Sequence, residues 1–206
     1  MKYISNVYAI SSLLAANLVP LIGVWYWGWN VFALMLLYWL ESAIIGFFTI
    51  WKMKTAQGNP TVMAAAGTSA LAATKLFFIP FFMLHYGLFM FVHLIFVLVF
   101  FFTPAVSVGQ IAISFVSLFL SHFVSYQTNF INAGEYRTTS PEQLFMRPYP
   151  RIIVMHLTII LGGILATSTG QSELALTLMI ALKVIADLGS HTFEHYTAQS
   201  GNKATL

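Results

Sequence analysis

The chain has 206 residues, of which 59% are hydrophobic and only 7% charged, with a formal net charge of +3 at pH 7. A water-soluble domain carries about 25% charged residues, so this chain has too few to cover a water-facing surface and reads as an all-α polytopic membrane protein. Its basic residues sit beside the ends of apolar stretches and form no basic run, which argues against a nucleic-acid partner, and the absence of cysteine excludes disulfides, thiolate metal sites and a cysteine nucleophile.

About 20 apolar residues cross a bilayer, and six such stretches are predicted within one transmembrane domain, 1–206. The first, 6–25, has Pro20 as a kink near its outer end; with no charged leader beyond Lys2 it reads as a retained span. Trp25, Tyr26, Trp27 and Trp29 then crowd a short turn at headgroup level. The second span, 31–51, carries Glu41 at its middle and is followed by Lys52 and Lys54. Gln57-Gly58-Asn59-Pro60 is a turn cluster. The alanine-rich piece behind it is a surface helix or the first turns of the third span, 76–102, which contains Pro80, His85 and His93. The fourth, 110–130, contains His122.

A long polar connection follows. In it, Ser140 as N-cap, Pro141 at the first helical position and Gln143 as capping-box partner predict a short interfacial helix. Leu144, Phe145 and Met146 would touch lipid or the bundle. The fifth span, 152–167, begins after Arg147 and Arg151, contains His156, and has a Gly162-Gly163 pair that permits close helix approach. In the sixth, 172–195, Lys183, Asp187, His191 and His195 recur every fourth residue and stack along one face. The tail beyond is small and polar and is expected to fray.

With six spans, Lys52, Lys54, Lys75, Arg137, Arg147 and Arg151, together with Lys2 and Lys203, all fall on one side, while the first, third and fifth loops carry no Lys or Arg. The positive-inside bias then places both termini in the cytoplasm. At about 1.5 Å per residue, Glu41 lies about 15 Å from the cytoplasmic end of its helix, His85 about 14 Å, and His122 and Asp187 about 12 Å. His156 and His191 come out about 6 to 8 Å deep. His195 falls near the interface and His93 toward the outer leaflet.

Ionisable groups are costly in lipid, so this layer is expected to face the bundle interior and find partners. One solution is a buried network: Lys183 with Asp187 or Glu41, and histidines bonded to carboxylates, Tyr126 or backbone. A proton-coupled transporter or an interaction scaffold would use it. The other is a metal, since imidazoles and a carboxylate suit zinc or non-haem iron. The zinc ligands would be His85, His122, Asp187 and His191, with His156 and His195 as further ligands, Tyr126 and Ser42 as supporting donors, and Lys183 as a counter-charge. Glu41 would be general base for a metal-activated water attacking a lipid-like substrate. No HExxH motif is present, and the carboxylates are too few for a di-iron site. A bis-histidine haem b, held by His85 with His156 or His122 with His191, is the third arrangement.

The stretches MRPYPRIIVMHLTIILGG (146–163), ALKVIADLGSHTFEH (181–195) and YWLESAIIG (38–46) resemble the domain-of-unknown-function family 6498 of small prokaryotic membrane proteins. The likeness extends over most of the chain and implies a six-span helical fold without an established activity. The HxxxH of the closing helix, His191 and His195, is similar to the zinc-binding helix of intramembrane amide hydrolases such as alkaline ceramidases and adiponectin-receptor-like proteins. That likeness implies a zinc site opening toward the cytoplasm, with His85 in the third-ligand role; the serine those proteins carry four residues earlier is Phe81 here.

Overall fold

The computed structural model describes residues 25–26, 28–104, 106–170, 174, 177–178 and 180–182, and every regular element among them is helical. Helix α1 spans Val31–Thr55, α2 Ala70–Phe101 and α3 Val108–Ser125, the last continued by a π-helical segment, Tyr126–Asn132. A short helix α4, Pro141–Met146, precedes α5, Tyr149–Thr169. Among the described residues, four stretches are long and apolar enough to cross a membrane: Val31–Thr55, Gly67–Phe101, Val108–Asn132 and Pro141–Thr169. They coincide with the second to fifth predicted spans. The first predicted span, apart from Trp25, and most of the sixth lie outside the described residues.

The chain divides into two compact units, Phe32–Ile153 and a second that joins Met1–Val31 to Val154–Leu206. In the second unit, Met155, Thr158 and Ile159 of α5 are buried, and the Thr158 hydroxyl donates to the Val154 carbonyl at 2.8 Å.

Within the first unit, α2 shows what organises the bundle. Its buried residues, Ala70, Thr74, Phe82, Tyr86, Met90, His93, Val97 and Phe101, fall three or four apart, or a multiple of that, along one stripe. The rest of its surface is exposed and apolar: Leu76 is 78% and Leu84 73% accessible. From Val108 to Ser125, α3 buries nothing. Such surfaces would aggregate in water and cost nothing in hydrocarbon.

Helices α1 and α2 run antiparallel, and small residues bring them close. A Cβ at Gly46 would collide with the Tyr86 ring. Across this seam the Trp39 indole donates to the Met90 carbonyl at 2.7 Å, and the Tyr86 hydroxyl donates to the Ser42 carbonyl at 2.7 Å. Helix α3 runs parallel to α1, with Phe48 against Phe119 and Tyr126, and the Lys52 ammonium 5.4 Å from the Phe130 ring centre.

The second and fourth loops of the predicted topology meet on one face. The Gln57 amide donates to Tyr136 O at 2.7 Å and the Gly58 amide to Thr139 O at 3.1 Å. Gly58 must be glycine for this, because a Cβ would run into the Thr138–Ser140 backbone. Glu142 accepts from the amide and hydroxyl of Thr61, each at 2.6 Å.

The capping box forms as the sequence predicts. Ser140 Oγ accepts from the Gln143 amide, and Gln143 Oε1 accepts from the Ser140 amide, with Pro141 opening the helix. Helix α4 packs on the bundle, one of the two contacts expected of it. Pro141, Leu144 and Phe145 are buried, Phe145 against Phe78, Phe81 and Phe82, while Gln143 and Met146 are exposed. Helices α4 and α5 are one apolar stretch broken at Arg147-Pro148. The break arises because Pro148 and Pro150 cannot donate into a continuous helix.

Candidate functional site

The break sets the first turn of α5 against the middle of α1. There the Arg151 guanidinium finds three partners on one turn of α1. Its Nη2 donates to Glu41 Oε2, its Nε donates to Ser42 Oγ at 2.8 Å, and Nη2 also reaches the Tyr38 carbonyl at 3.5 Å. The same guanidinium lies over the Tyr38 ring, 4.1 Å from its centre. A planar fork of fixed donors suits this combination of carboxylate, hydroxyl and aromatic face; an ammonium would not. Arg151 and Glu41 are 18% and 28% accessible, so the pair is mostly removed from its surroundings.

Ser42 is fully buried and uses both sides of its hydroxyl, donating to Tyr38 O at 2.8 Å while accepting from Arg151. The second carboxylate oxygen of Glu41, Oε1, faces His122 Nε2 of α3 at 3.7 Å. Glu41 is therefore shared between a guanidinium and an imidazole that arrive from different helices. Beside His122 lies a cavity of about 110 Å³, with Thr49, Lys52, Ser125 and Arg147 among its walls.

His85 takes another arrangement. Its Nδ1 is 2.7 Å from the Tyr149 hydroxyl, and its ring stacks on Phe81 and meets Phe89 edge-on. Tyr149 stands two residues before Arg151, so the start of α5 serves both histidines.

Of the residues expected to form the site, Glu41 and His122 come together. His85 is held by a phenol instead. Tyr126 is buried against Phe48 and Phe130. His93 is buried in the α2 stripe, and His156 belongs to the other unit. Asp187, His191, His195 and Lys183 lie outside the described residues, as therefore does half of the expected zinc shell. Among the described residues, no three His, Cys, Asp or Glu side chains form a group that could hold a metal.

The residues missed in the sequence are Arg151 and Tyr149. Arg151 was expected as a positive-inside flank of the fifth span. The signal for its inward position was present: Pro141–Thr169 is 29 residues long, well beyond the roughly 20 a crossing needs, and its prolines mark a break inside it.

No curated protein and no solved structure matches the chain. A family model does: residues 5–204 match the family of unknown function DUF6498, and the chain belongs to that family.

Proposed function

We propose that this is a six-span protein of a bacterial inner membrane, with both termini cytoplasmic, that carries a proton on the Glu41–His122 pair and couples it to movement of a small solute. The observation that carries this proposal is the sharing of one carboxylate between Arg151 and His122 inside apolar helices. Ionisable groups at such depth commonly mark ion or proton pathways.

The chemistry follows from the residue types. A guanidinium stays charged across the working pH range, so the cluster changes charge only at the carboxylate or the imidazole. Protonating Glu41 removes the counter-charge of Arg151. Breaking a buried pair from one side costs about 3–5 kcal/mol, so Arg151 must then redistribute among Ser42, Tyr38 and water. Because Arg151 sits just after the α4–α5 break, that redistribution acts on a helix already jointed there. Broken helices lining cavities are a recurrent feature of membrane carriers.

The loops support the topology. The segments bearing Lys52, Lys54, Arg137 and Arg147 bond to one another, as they would on a single side of the membrane. The zinc hydrolase alternative needs Asp187 and His191 to join His85 and His122. Elemental analysis decides it: one zinc per chain, lost in His122→Ala, would replace the proton proposal.

The direct test is a pH titration of tryptophan fluorescence on the purified full chain, because Trp39 lies one residue beyond Tyr38 on α1. A transition in the wild type that disappears in Glu41→Gln and moves in His122→Gln is expected. Superimposable titrations of wild type and Glu41→Gln would sink the proposal.

A further inference from the structure

We infer that the cavity beside His122 binds a small carboxylate or phosphate anion, and that this anion is the solute accompanying the proton; the second half rests on the proton proposal above.

The cavity lies within the first unit, where α1, α3 and the α4–α5 break converge. Thr49 and Lys52 stand three apart on α1, and His122 and Ser125 three apart on α3, so each pair projects from one face toward the same space. Arg147 closes it from the break. Among the described residues, the charges around it do not balance. Lys52 and Arg147 line the walls, and Glu135 answers Arg147 through a 2.6 Å contact. Behind His122, Glu41 is already matched by Arg151. Glu142 turns away to Thr61 on the neighbouring loop. Among the described residues, three fixed cations thus meet two carboxylates, leaving one positive charge that a monoanion would neutralise.

The donors suit an oxyanion. Lys52 and Arg147 offer ammonium and guanidinium protons. The Ser125 hydroxyl oxygen accepts from Asn129 at 3.2 Å, which leaves its own proton for the anion. Thr49 spends its proton on the Ile45 carbonyl at 2.8 Å and contributes shape only. Size restricts the ligand. Water occupies about 30 Å³ in the liquid, so 110 Å³ holds the equivalent of three or four waters. Acetate or inorganic phosphate fits within it.

His122 joins this site to the proton site, because its ring borders the cavity while its Nε2 faces Glu41. An anion there favours the imidazolium, and by reciprocity the imidazolium favours the anion. Anion binding is therefore tighter at acid than at alkaline pH.

The experiment measures melting temperature and calorimetric affinity of the full chain in phosphatidylcholine nanodiscs, titrated with sodium acetate and with inorganic phosphate. Stabilisation that grows toward acid pH is expected. Lys52→Gln should weaken affinity roughly tenfold or more and Ser125→Ala roughly threefold, as for charged and neutral hydrogen bonds, with Lys52→Arg retaining binding. No stabilisation by either anion, or equal stabilisation in Lys52→Gln, overturns the site. A parallel series in phosphatidylglycerol nanodiscs separates the sources. If that lipid alone stabilises, and only with Lys52 present, the anion is a headgroup phosphate: the site stands and the solute role falls. His122→Gln separates the two proposals, since binding retained without its pH dependence upholds the anion site and shows that the pH dependence runs through the imidazole.

Discussion

His122 and His85 sit on neighbouring apolar helices at similar expected depth, yet the chain uses them differently. Around His122 the helices bring a carboxylate, a guanidinium, a buried hydroxyl and a polar cavity. Around His85 they bring Phe81, Phe89 and the Tyr149 hydroxyl. The first arrangement can change its net charge; the second is a hydrogen bond wrapped in aromatic rings. Depth told both histidines that they needed partners. Which partner each met was decided by the azimuth of its helix and by the break between α4 and α5, behind which the few residues from Tyr149 to Arg151 complete both sites.

The largest effect expected is on the charged side. Glu41→Leu leaves Arg151 with a serine hydroxyl, a carbonyl and an aromatic face, and should destabilise the protein by about 3–5 kcal/mol. The double variant Glu41→Leu with Arg151→Leu should recover most of that loss, because removing both charges also removes their desolvation cost. Reversible unfolding in mixed detergent measures both. A double variant as unstable as the single one would mean that the pair is not mutually compensating.

On the aromatic side, Phe145→Ala removes the ring that ties α4 to Phe78, Phe81 and Phe82. In a soluble core such a truncation costs about 3–5 kcal/mol. Lipid chains are as apolar as the ring, so the transfer part is missing here and mainly lost packing remains. About 2 kcal/mol is expected by the same unfolding assay. A loss matching that of Glu41→Leu would place the weight of the fold on the aromatic seam. Ser140→Ala, which deletes the capping box of that short helix, should cost about 1 kcal/mol and loosen amide protection at Gln143.

The four described spans were legible because apolar length is a strong signal and because Ser140-Pro141-Glu142-Gln143 specifies a helix start from local chemistry alone. Glu41 and His122 were legible as members of one layer of ionisable groups, since both fall at mid-span, but not as each other's partner. Arg151 was not, because an arginine beside a span looks like a membrane flank unless Pro148 and Pro150 are weighed together with the apolar length on both sides of them. Nor was the phenol that holds His85. Periodicity gives the face of a helix, but nothing in α2 specifies that Tyr149 will arrive opposite it. The closing stripe of Lys183, Asp187, His191 and His195 lies outside the described residues, so the zinc arrangement built on it stands only as an alternative.

The smallest predicted effect separates the two histidines most cleanly. Tyr149→Phe keeps the ring packing against Phe145 and His85 and removes only the hydroxyl. Side-chain hydrogen bonds between membrane helices average about 0.6 kcal/mol, because the unfolded chain in the bilayer also finds partners. A loss of that size is expected, with no change in the fluorescence pH titration, since the tyrosine carries no charge that Glu41 or Arg151 must answer. His122→Gln, by contrast, should move the titration. If Tyr149→Phe moved it equally, the start of α5 would couple both histidines into one proton network, and the division between a charged and a neutral site would fail.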